Sequence, residues 1–307
     1  MNDIKKYKVS IGMPVYNGEK YIRQAIDSVL AQTFTDFEVI ISDNASTDKT
    51  ETICREYQKH DKRIKFIKQE ENKGGSFNFP YVLGKAKSEY FVWLAYDDFW
   101  EPTFLEKNVL ILNSNKNVVG SIGLVKYYGV KDFHIKKNLT FKIKNLIKRG
   151  SNKEHEKYVH VRPVSGTYEK KVSIYLRFDQ ASFIYGLFRT EKLQNRMVDV
   201  DKTGWDLLLI LNILKDGDLH VIDEILVYRF VSGFHSGLTY FESYKKKMIS
   251  FVELIFPVKI LFMWCLNNVG KKFIIKNLDW FVIVLVYGWF QILKEVIIKI
   301  FNKKLLF

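Results

Sequence analysis

Apolar runs and helical stripes alternate along the first hundred residues. Val9–Val15 is a short apolar run that predicts a strand ending around Pro14. Within Gly18–Gln32 the apolar residues Ile22, Ala25, Ile26, Val29 and Leu30 recur at the three-and-four spacing of an amphipathic helix. Phe37–Ser42 predicts a second strand, buried on both faces, because Val39, Ile40 and Ile41 follow one another without alternation. Asp43–Asp48 is polar and loop-like, and Ser46 or Thr47 is placed to cap a helix from Asp48 to about His60. Ile64–Ile67 predicts a third strand, Asn72–Gly75 a turn, the stretch to Lys87 a helix, and Tyr90–Ala95 a fourth strand. Strands alternating with helices predict an α/β protein with a Rossmann-like, mainly parallel sheet and flanking helices.

That architecture carries a functional expectation. In open α/β sheets ligands bind beyond the carboxyl ends of the strands. The polar clusters that follow those ends are Tyr16–Asn17, Asp43–Asn44, Asn72–Gly75 and Asp97–Asp98, so all four are expected along one edge.

Further on, Leu139, Ile143, Leu146 and Ile147 fall at helical spacing among Lys142, Lys144, Lys148 and Arg149, a short basic amphipathic helix stopped at Gly150. Phe183–Phe188 reads as a strand, Trp205–Lys215 as a helix stopped near Gly217, and 221–230 as another strand. From Tyr244 the character changes: Phe251–Leu266 and Trp280–Leu293 are strongly apolar, with Lys271, Lys272 and Lys276 between them and Lys294, Lys299, Lys303 and Lys304 after. The second run would reach about 21 Å as a helix, short of a hydrocarbon core of roughly 30 Å. A helical extension lying in a membrane interface therefore fits better than a span, with Trp280, Tyr287 and Trp289 at the headgroup level. The alternative is that these helices pack on the rest of the chain or form the seam of a homo-oligomer. The division expected is a catalytic domain over 1–241 and membrane-associating helices over 242–307.

Charge sharpens this division. The chain of 307 residues has a formal net charge of +14. Residues 131–171 carry twelve Lys/Arg against four acids, and residues 242–307 eleven Lys against four acids, so the remainder is nearly neutral. Basic blocks suit phosphate-bearing partners or anionic membranes. A nucleic-acid partner is not expected, because the neutral body carries the converging acids. Cys54 and Cys265 stand far apart with no zinc-like spacing, and the polar Met1–Lys8 gives no sign of a signal peptide, which together suggest a reduced, cytosolic setting.

Several residues then stand out as chemistry. Asp97–Asp98 places two carboxylates at a strand end, a set suited to Mg²⁺ or Mn²⁺ completed by substrate phosphates, or else a turn into Glu101–Pro102. Asp43 is placed to accept from a nucleobase imide or a ribose hydroxyl, with Asn44 beside it, or to form the local turn. Lys73 and Gly74 sit where the backbone can approach a ligand closely, although the spacing is not that of a nucleoside triphosphatase loop. Asp206, at the start of the apolar helix Leu207–Leu214, is a general base or a compensator of the helix dipole. Arg229 would neutralise a diphosphate, and His235 would touch phosphate or metal or serve a structural role.

Taken in order, these stretches resemble family 2 glycosyltransferases. Val9-Ser10-Ile11-Gly12-Met13-Pro14-Val15-Tyr16-Asn17-Gly18 is similar to the family's opening. Ala25–Thr33 and Phe37–Asp48 follow it, then Asn72 with Gly74 and Asn78, and Ala86 to Asp98. Tyr185–Arg189, Asp206 with Gly217, and Val227-Tyr228-Arg229 with His235 extend the resemblance over roughly 7–240.

The resemblance implies a GT-A fold and an inverting, metal-dependent transfer of a sugar from a nucleotide-diphosphate donor to an acceptor hydroxyl. It places Pro14, Tyr16 and Asn17 around the nucleotide and Asp43 on the base. Asp97 and Asp98 serve the ribose and the divalent ion, and Asp206 is the base. Two positions depart from the family pattern: Ala95 stands where an aspartate is frequent, and Trp205 precedes Asp206 where a glutamate is usual. They leave open a second expectation, a non-catalytic nucleotide-sugar-binding module of the same fold. The apolar, basic C-terminus adds a lipid-linked saccharide as the expected acceptor, at the cytoplasmic face of a membrane and with peripheral or monotopic attachment. The 131–171 block would flank the acceptor site.

Overall fold

A computed structural model describes residues 7–129, 158–159, 161–178, 181–198, 204–230 and 250–304. The first half follows the alternation of the sequence. Strands β1 (Val9–Val15), β2 (Phe37–Asp43), β3 (Ile64–Lys68) and β4 (Tyr90–Trp93) run parallel. β1 and β2 are buried at every position, which is why they read as unbroken apolar runs. Helices α1 (Ile22–Leu30), α2 (Thr50–His60) and α3 (Gly75–Lys85) make the crossovers. In α1 the buried residues are Ile22, Ala25, Ile26 and Val29, the apolar stripe expected. α3 sits close to the sheet because β1 has a glycine beneath it: a Cβ on Gly12 would come within 2.6 Å of the Phe91 ring and 2.7 Å of Val82.

The second half is a mixed sheet. Its elements are β5 (Phe99–Trp100), α4 (Phe104–Ser114), β6 (Val118–Tyr128), β7 (Tyr158–Val159), α5 (Tyr168–Arg177), a 3₁₀ turn (Ala181–Tyr185), β8 (Leu187–Arg189), α6 (Thr190–Asn195), α7 (Trp205–Ile213) and β9 (Asp218–Phe230). The strand order is β3-β2-β1-β4-β8-β6-β9-β5, with β7 paired to β6. β8 lies antiparallel between β4 and β6, while β6 and β9 are parallel. The ends of β6 and β9 thus reach the same edge as the ends of β1–β4, and the residues just before β8 begin there. β5 pairs antiparallel with β9, Phe99 opposite Tyr228, so it also starts at that edge.

The expected strand over Phe183–Phe188 is corrected: the chain turns to Tyr185 and the strand begins only at Leu187. The Gly186 amide donates to the Phe183 carbonyl at 2.9 Å, and a Cβ on Gly186 would meet the Ser121 carbonyl at 2.9 Å. Backbone packed that tightly makes a turn where the apolar pattern suggested extended chain.

Four helices close the described chain: α8 (Phe251–Ile255), α9 (Lys259–Asn268), α10 (Lys271–Lys276) and α11 (Leu278–Lys304). Ser250 caps α8 reciprocally with Glu253. The middle of this extension is docked. Cys265, Phe273, Ile274, Trp280 and Phe281 belong to the main hydrophobic core. Arg177 of α5 donates to Asn277 and Asp279, and Trp264 donates to Asn212 at 3.1 Å.

Beyond Phe281 the situation reverses. Val282, Val286, Trp289, Leu293 and Ile297 are exposed at helical spacing. The length argument for an interfacial helix is also corrected. α11 runs 27 residues, about 40 Å at 1.5 Å per residue. Its Leu278–Ile297 stretch is long and apolar enough to cross a membrane by length and composition, with only 17% of its most apolar window buried. Lys294 and Glu295 end the uncharged run without ending the helix, since both are good helix formers.

Candidate active site

The β1 and β2 ends are knotted together by short polar side chains. Asn17 adopts a left-handed backbone (φ 50), which asparagine tolerates. Its side-chain oxygen accepts from the Thr47 amide at 2.9 Å, and its own amide donates to Ser46 Oγ at 2.8 Å. Gly18 follows because a Cβ there would collide with Val15 and Tyr96 at 2.7 and 2.9 Å. Tyr16 is left 40% exposed above this corner, while Pro14 stays buried in the strand.

Asp43, at the end of β2, is fully buried. One carboxylate oxygen accepts from the Ser46 amide at 2.9 Å, whereas Oδ2 has no hydrogen-bond partner among the described residues. Asn78 of α3 reaches the same strand end: its amide nitrogen donates to the Ser42 carbonyl at 2.8 Å, and its buried oxygen lacks a partner too. Two unsatisfied buried acceptors cost on the order of 1–3 kcal/mol each, or more for the charged one. They suit a ligand that presents N–H or O–H groups.

Asn44 ties in the next loop, donating to Asn72 at 2.8 Å and accepting from the Lys73 amide at 3.1 Å. Gly74 is left-handed (φ 82) with nothing within 4 Å of an added Cβ, so the backbone here is open to approach. The Lys73 ammonium lies 5.2 Å over the Phe77 ring and 3.8 Å from Glu71 Oε1.

At the β4 end the two aspartates differ. Asp98 is 4% exposed; Oδ1 accepts from the Phe230 amide at 2.9 Å and Oδ2 from Arg229 Nε at 3.3 Å. Burial pushes its carboxyl up to about 7, against the pull of Arg229. Asp97 is half-buried; burial raises its carboxyl as well, with Arg229 opposing. The Asp97 carbonyl accepts from the Tyr128 hydroxyl at 2.5 Å. Arg229 stacks 4.3 Å over the Tyr185 ring, and its Nη1 lies 3.4 Å from Ser182 Oγ. The guanidinium expected on the diphosphate therefore already spends one donor on Asp98.

These donors fit a divalent ion in one way. Asp97 is the more accessible carboxylate, Ala95 offers no side-chain oxygen, and Asp98 is engaged by Arg229. Among the described residues no group of three His, Cys, Asp or Glu is gathered for a metal. One carboxylate completed by diphosphate oxygens is a set that Mg²⁺ or Mn²⁺ accepts. His235, expected at the metal, lies outside the described residues.

Asp206 is half-buried in the first turn of α7, after left-handed Gly204 (φ 81). The preceding Trp205 packs 6.3 Å from Trp93 and 6.3 Å from Phe79, fixing the start of the helix. Tyr185 stacks on Arg229 beside Asp98, and its turn packs against α7, which carries Asp206. Tyr185, Ser182 and Tyr128 had no assigned role in the sequence. Only the turn and the β4-β8-β6 order bring them here, although Tyr185 stands in a family-like stretch. Most of the 131–171 block, including the helix around Leu139–Gly150, falls outside the described residues. Its described member Lys171 is buried and structural, donating to the Gly217 carbonyl at 2.7 Å.

A mixed sheet of this order, with carboxylates at its ligand edge, is a GT-A fold. The profile of Glycosyl transferase family 2 matches residues 10–172, more than half of the chain, and the chain belongs to that family. An uncharacterized glycosyltransferase of Rickettsia typhi is 45% identical over 113 residues, 36% of this chain and 34% of that relative's length. The chain thus spans about a third of that relative. Among solved structures, S. aureus TarS (residues 1–349) in complex with UDP-GlcNAc superposes with a TM-score of 0.55 at 19% identity, covering 78% of this chain and 64% of that one. The mannosyltransferase PcManGT from Pyrobaculum calidifontis, in complex with GDP-Man and Mn²⁺, gives 0.50 at 16% identity, over 75% and 59%.

The raised carboxyl of Asp98 has a signed consequence. A carboxyl that ionises later in the folded chain than in the unfolded one stabilises the fold at low pH and loses that contribution as pH rises from about 4 to 7. Denaturant unfolding of wild type and Asp98→Asn across pH 4–8 should show wild type falling relative to the variant, by at most about 1.4 kcal/mol per unit, and level above pH 7. A constant difference across that range would contradict the assignment.

Proposed function

We propose that the chain is an inverting glycosyltransferase of hexosyl type that moves a sugar from a nucleotide-diphosphate sugar to an acceptor hydroxyl. The observation that carries this reading is the convergence, in a family 2 chain, of Asp43, Asp97 and Asp206 on one sheet edge. The unsatisfied oxygens of Asp43 and Asn78 suit the donor groups of a nucleobase or ribose, with Pro14, Tyr16, Asn17 and Asn44 shaping that corner. Nucleotide sugars bound to TarS and PcManGT support a donor of the same class.

In this reading Asp206 takes the proton from the acceptor hydroxyl as its oxygen bonds to the anomeric carbon. The bond from that carbon to the diphosphate oxygen breaks, its electron pair leaving with the diphosphate. Attack from the opposite face inverts the centre. A divalent ion on Asp97 would neutralise charge on the leaving diphosphate. Arg229 holds Asp98 and lends its charge nearby, while Lys73 and Gly74 would approach the donor from the loop tied to Asn44.

The acceptor proposed is a lipid-linked saccharide, met at the cytoplasmic face of a membrane. Ten of the thirteen exposed large hydrophobics among the described residues lie between Val252 and Ile297, beside the exposed Lys271, Lys272, Lys276 and Lys294. That combination suits an anionic lipid surface. A second reading, a nucleotide-sugar-binding module without transfer, draws on Ala95 and Trp205. Donor turnover separates the two.

Three outcomes are expected. Asp206→Asn retains donor binding but lowers kcat by about 10²–10⁴-fold; near-normal transfer by the variant would remove Asp206 from the role of base. Excess chelator abolishes transfer and added Mn²⁺ or Mg²⁺ restores it, whereas undiminished turnover would refute a metal role. In flotation with phosphatidylglycerol-containing vesicles the full chain rises with the lipid at low salt; a chain left entirely at the bottom would exclude attachment through 250–304.

A further inference from the structure

The transferred sugar has a place dictated by the reaction: between the diphosphate it leaves and the hydroxyl it joins. On the glycosyl-transfer reading above, those are the positions served by Asp97 and Asp206. The turn that ends at Tyr185 packs against α7, the helix whose first turn holds Asp206, and Tyr185 stacks on Arg229, which holds Asp98 beside Asp97. Tyr185 closes the 3₁₀ turn Ala181–Tyr185 at the ligand edge of the sheet and is half-buried there. Its ring is held by the Arg229 guanidinium at 4.3 Å, and Arg229 in turn grips Asp98 at 3.3 Å. The charges of Asp97 and Asp98 reach its hydroxyl, and so does the charge of Asp206.

The turn that carries it is closely packed. Gly186 packs against the Ser121 carbonyl with no room for a Cβ, and Ser182 is buried beside Arg229. A phenol fixed in this way, and kept un-ionised mainly by burial with its titration pushed up to about 12, is an O–H donor at neutral pH.

We propose that Tyr185 contacts the transferred sugar, donating its hydroxyl to a sugar oxygen, and that it helps to select which nucleotide sugar is used. A site built to hydrogen-bond a substrate hydroxyl discriminates strongly, because the wrong sugar leaves a buried polar group unpaired. The nucleobase and ribose are held elsewhere, at the Asp43 corner, so the selection at Tyr185 is for the sugar alone.

The test uses Tyr185→Phe in the full chain, which keeps the ring and its stack on Arg229 and removes only the hydroxyl. Binding of UDP, GDP, UDP-GlcNAc, UDP-glucose and GDP-mannose is measured with Mn²⁺ by calorimetry, together with the ligand-free melting temperature and transfer rates. The expected result is an unchanged melting temperature, unchanged affinity for the nucleoside diphosphate, and about a tenfold loss of affinity and kcat/KM for the preferred nucleotide sugar. The margin over the next sugar should narrow by a similar factor. Equal binding of the preferred sugar by variant and wild type would overturn the inference. An equal loss for sugar and nucleoside diphosphate would also overturn it, by showing that Tyr185 acts only as packing for Arg229. If wild type binds UDP or GDP but no nucleotide sugar and transfers nothing, the glycosyl-transfer reading itself fails and the inference with it.

Discussion

A buried junction between Asp98 and the end of β9 holds the site together. Asp98 leaves β4 at 4% exposure, and its two oxygens are met by Arg229 and by the Phe230 amide, both at the far end of β9. The junction therefore fixes how the parallel half of the sheet meets the mixed half. It also sets what is left over: with Asp98 engaged, Asp97 is the carboxylate that faces outward, and the guanidinium on Asp98 is the platform on which Tyr185 rests.

The opposite corner is organised by incompleteness. The β1 and β2 loops satisfy one another through Asn17, Ser46, Thr47 and Asp48, yet Asp43 Oδ2 and Asn78 Oδ1 are buried without partners among the described residues. Other buried polar atoms, Asn108 Oδ1 among them, also lack partners among the described residues, so what sets these two acceptors apart is that both lie at the end of β2. Local conflict with the rules of packing is what a binding site produces when its ligand supplies the missing donors. One edge of the sheet thus holds a corner short of donors and a corner with two adjacent carboxylates.

The C-terminal helices divide in the same physical terms. Residues 259–281 are tied to the body by Trp264, Asn277, Arg177 and a shared core, whereas beyond Phe281 α11 exposes an apolar stripe in which Trp289 still donates to the Ile255 carbonyl. The basic charge is concentrated in this extension and in the 131–171 block, leaving the nucleotide edge to acids.

The alternation of buried strands and amphipathic helices was legible over residues 9–93 because each element there is written by local periodicity: unbroken apolar runs for strands buried on both faces, a three-and-four stripe for α1. The strand-end clusters Tyr16–Asn17, Asp43–Asn44 and Asp97–Asp98 were legible for the same reason, since a parallel sheet sends them to one edge. The stretch from Glu101 to Gly129 drew no prediction, although Phe104, Leu105, Val109 and Leu112 of α4 carry a helical stripe. The 183–188 turn was misread because Gly186 is constrained by a neighbouring strand rather than by its own segment, and the helix continuing past Lys294 was missed because the uncharged run stops there. The sequence by itself determined which carboxylates reach the ligand edge. Only the tertiary structure decided how they differ, because burial and pairing depend on residues far along the chain: Arg229 and the Phe230 amide engage Asp98, Asp97 stays half-exposed, and Tyr185 stacks on Arg229.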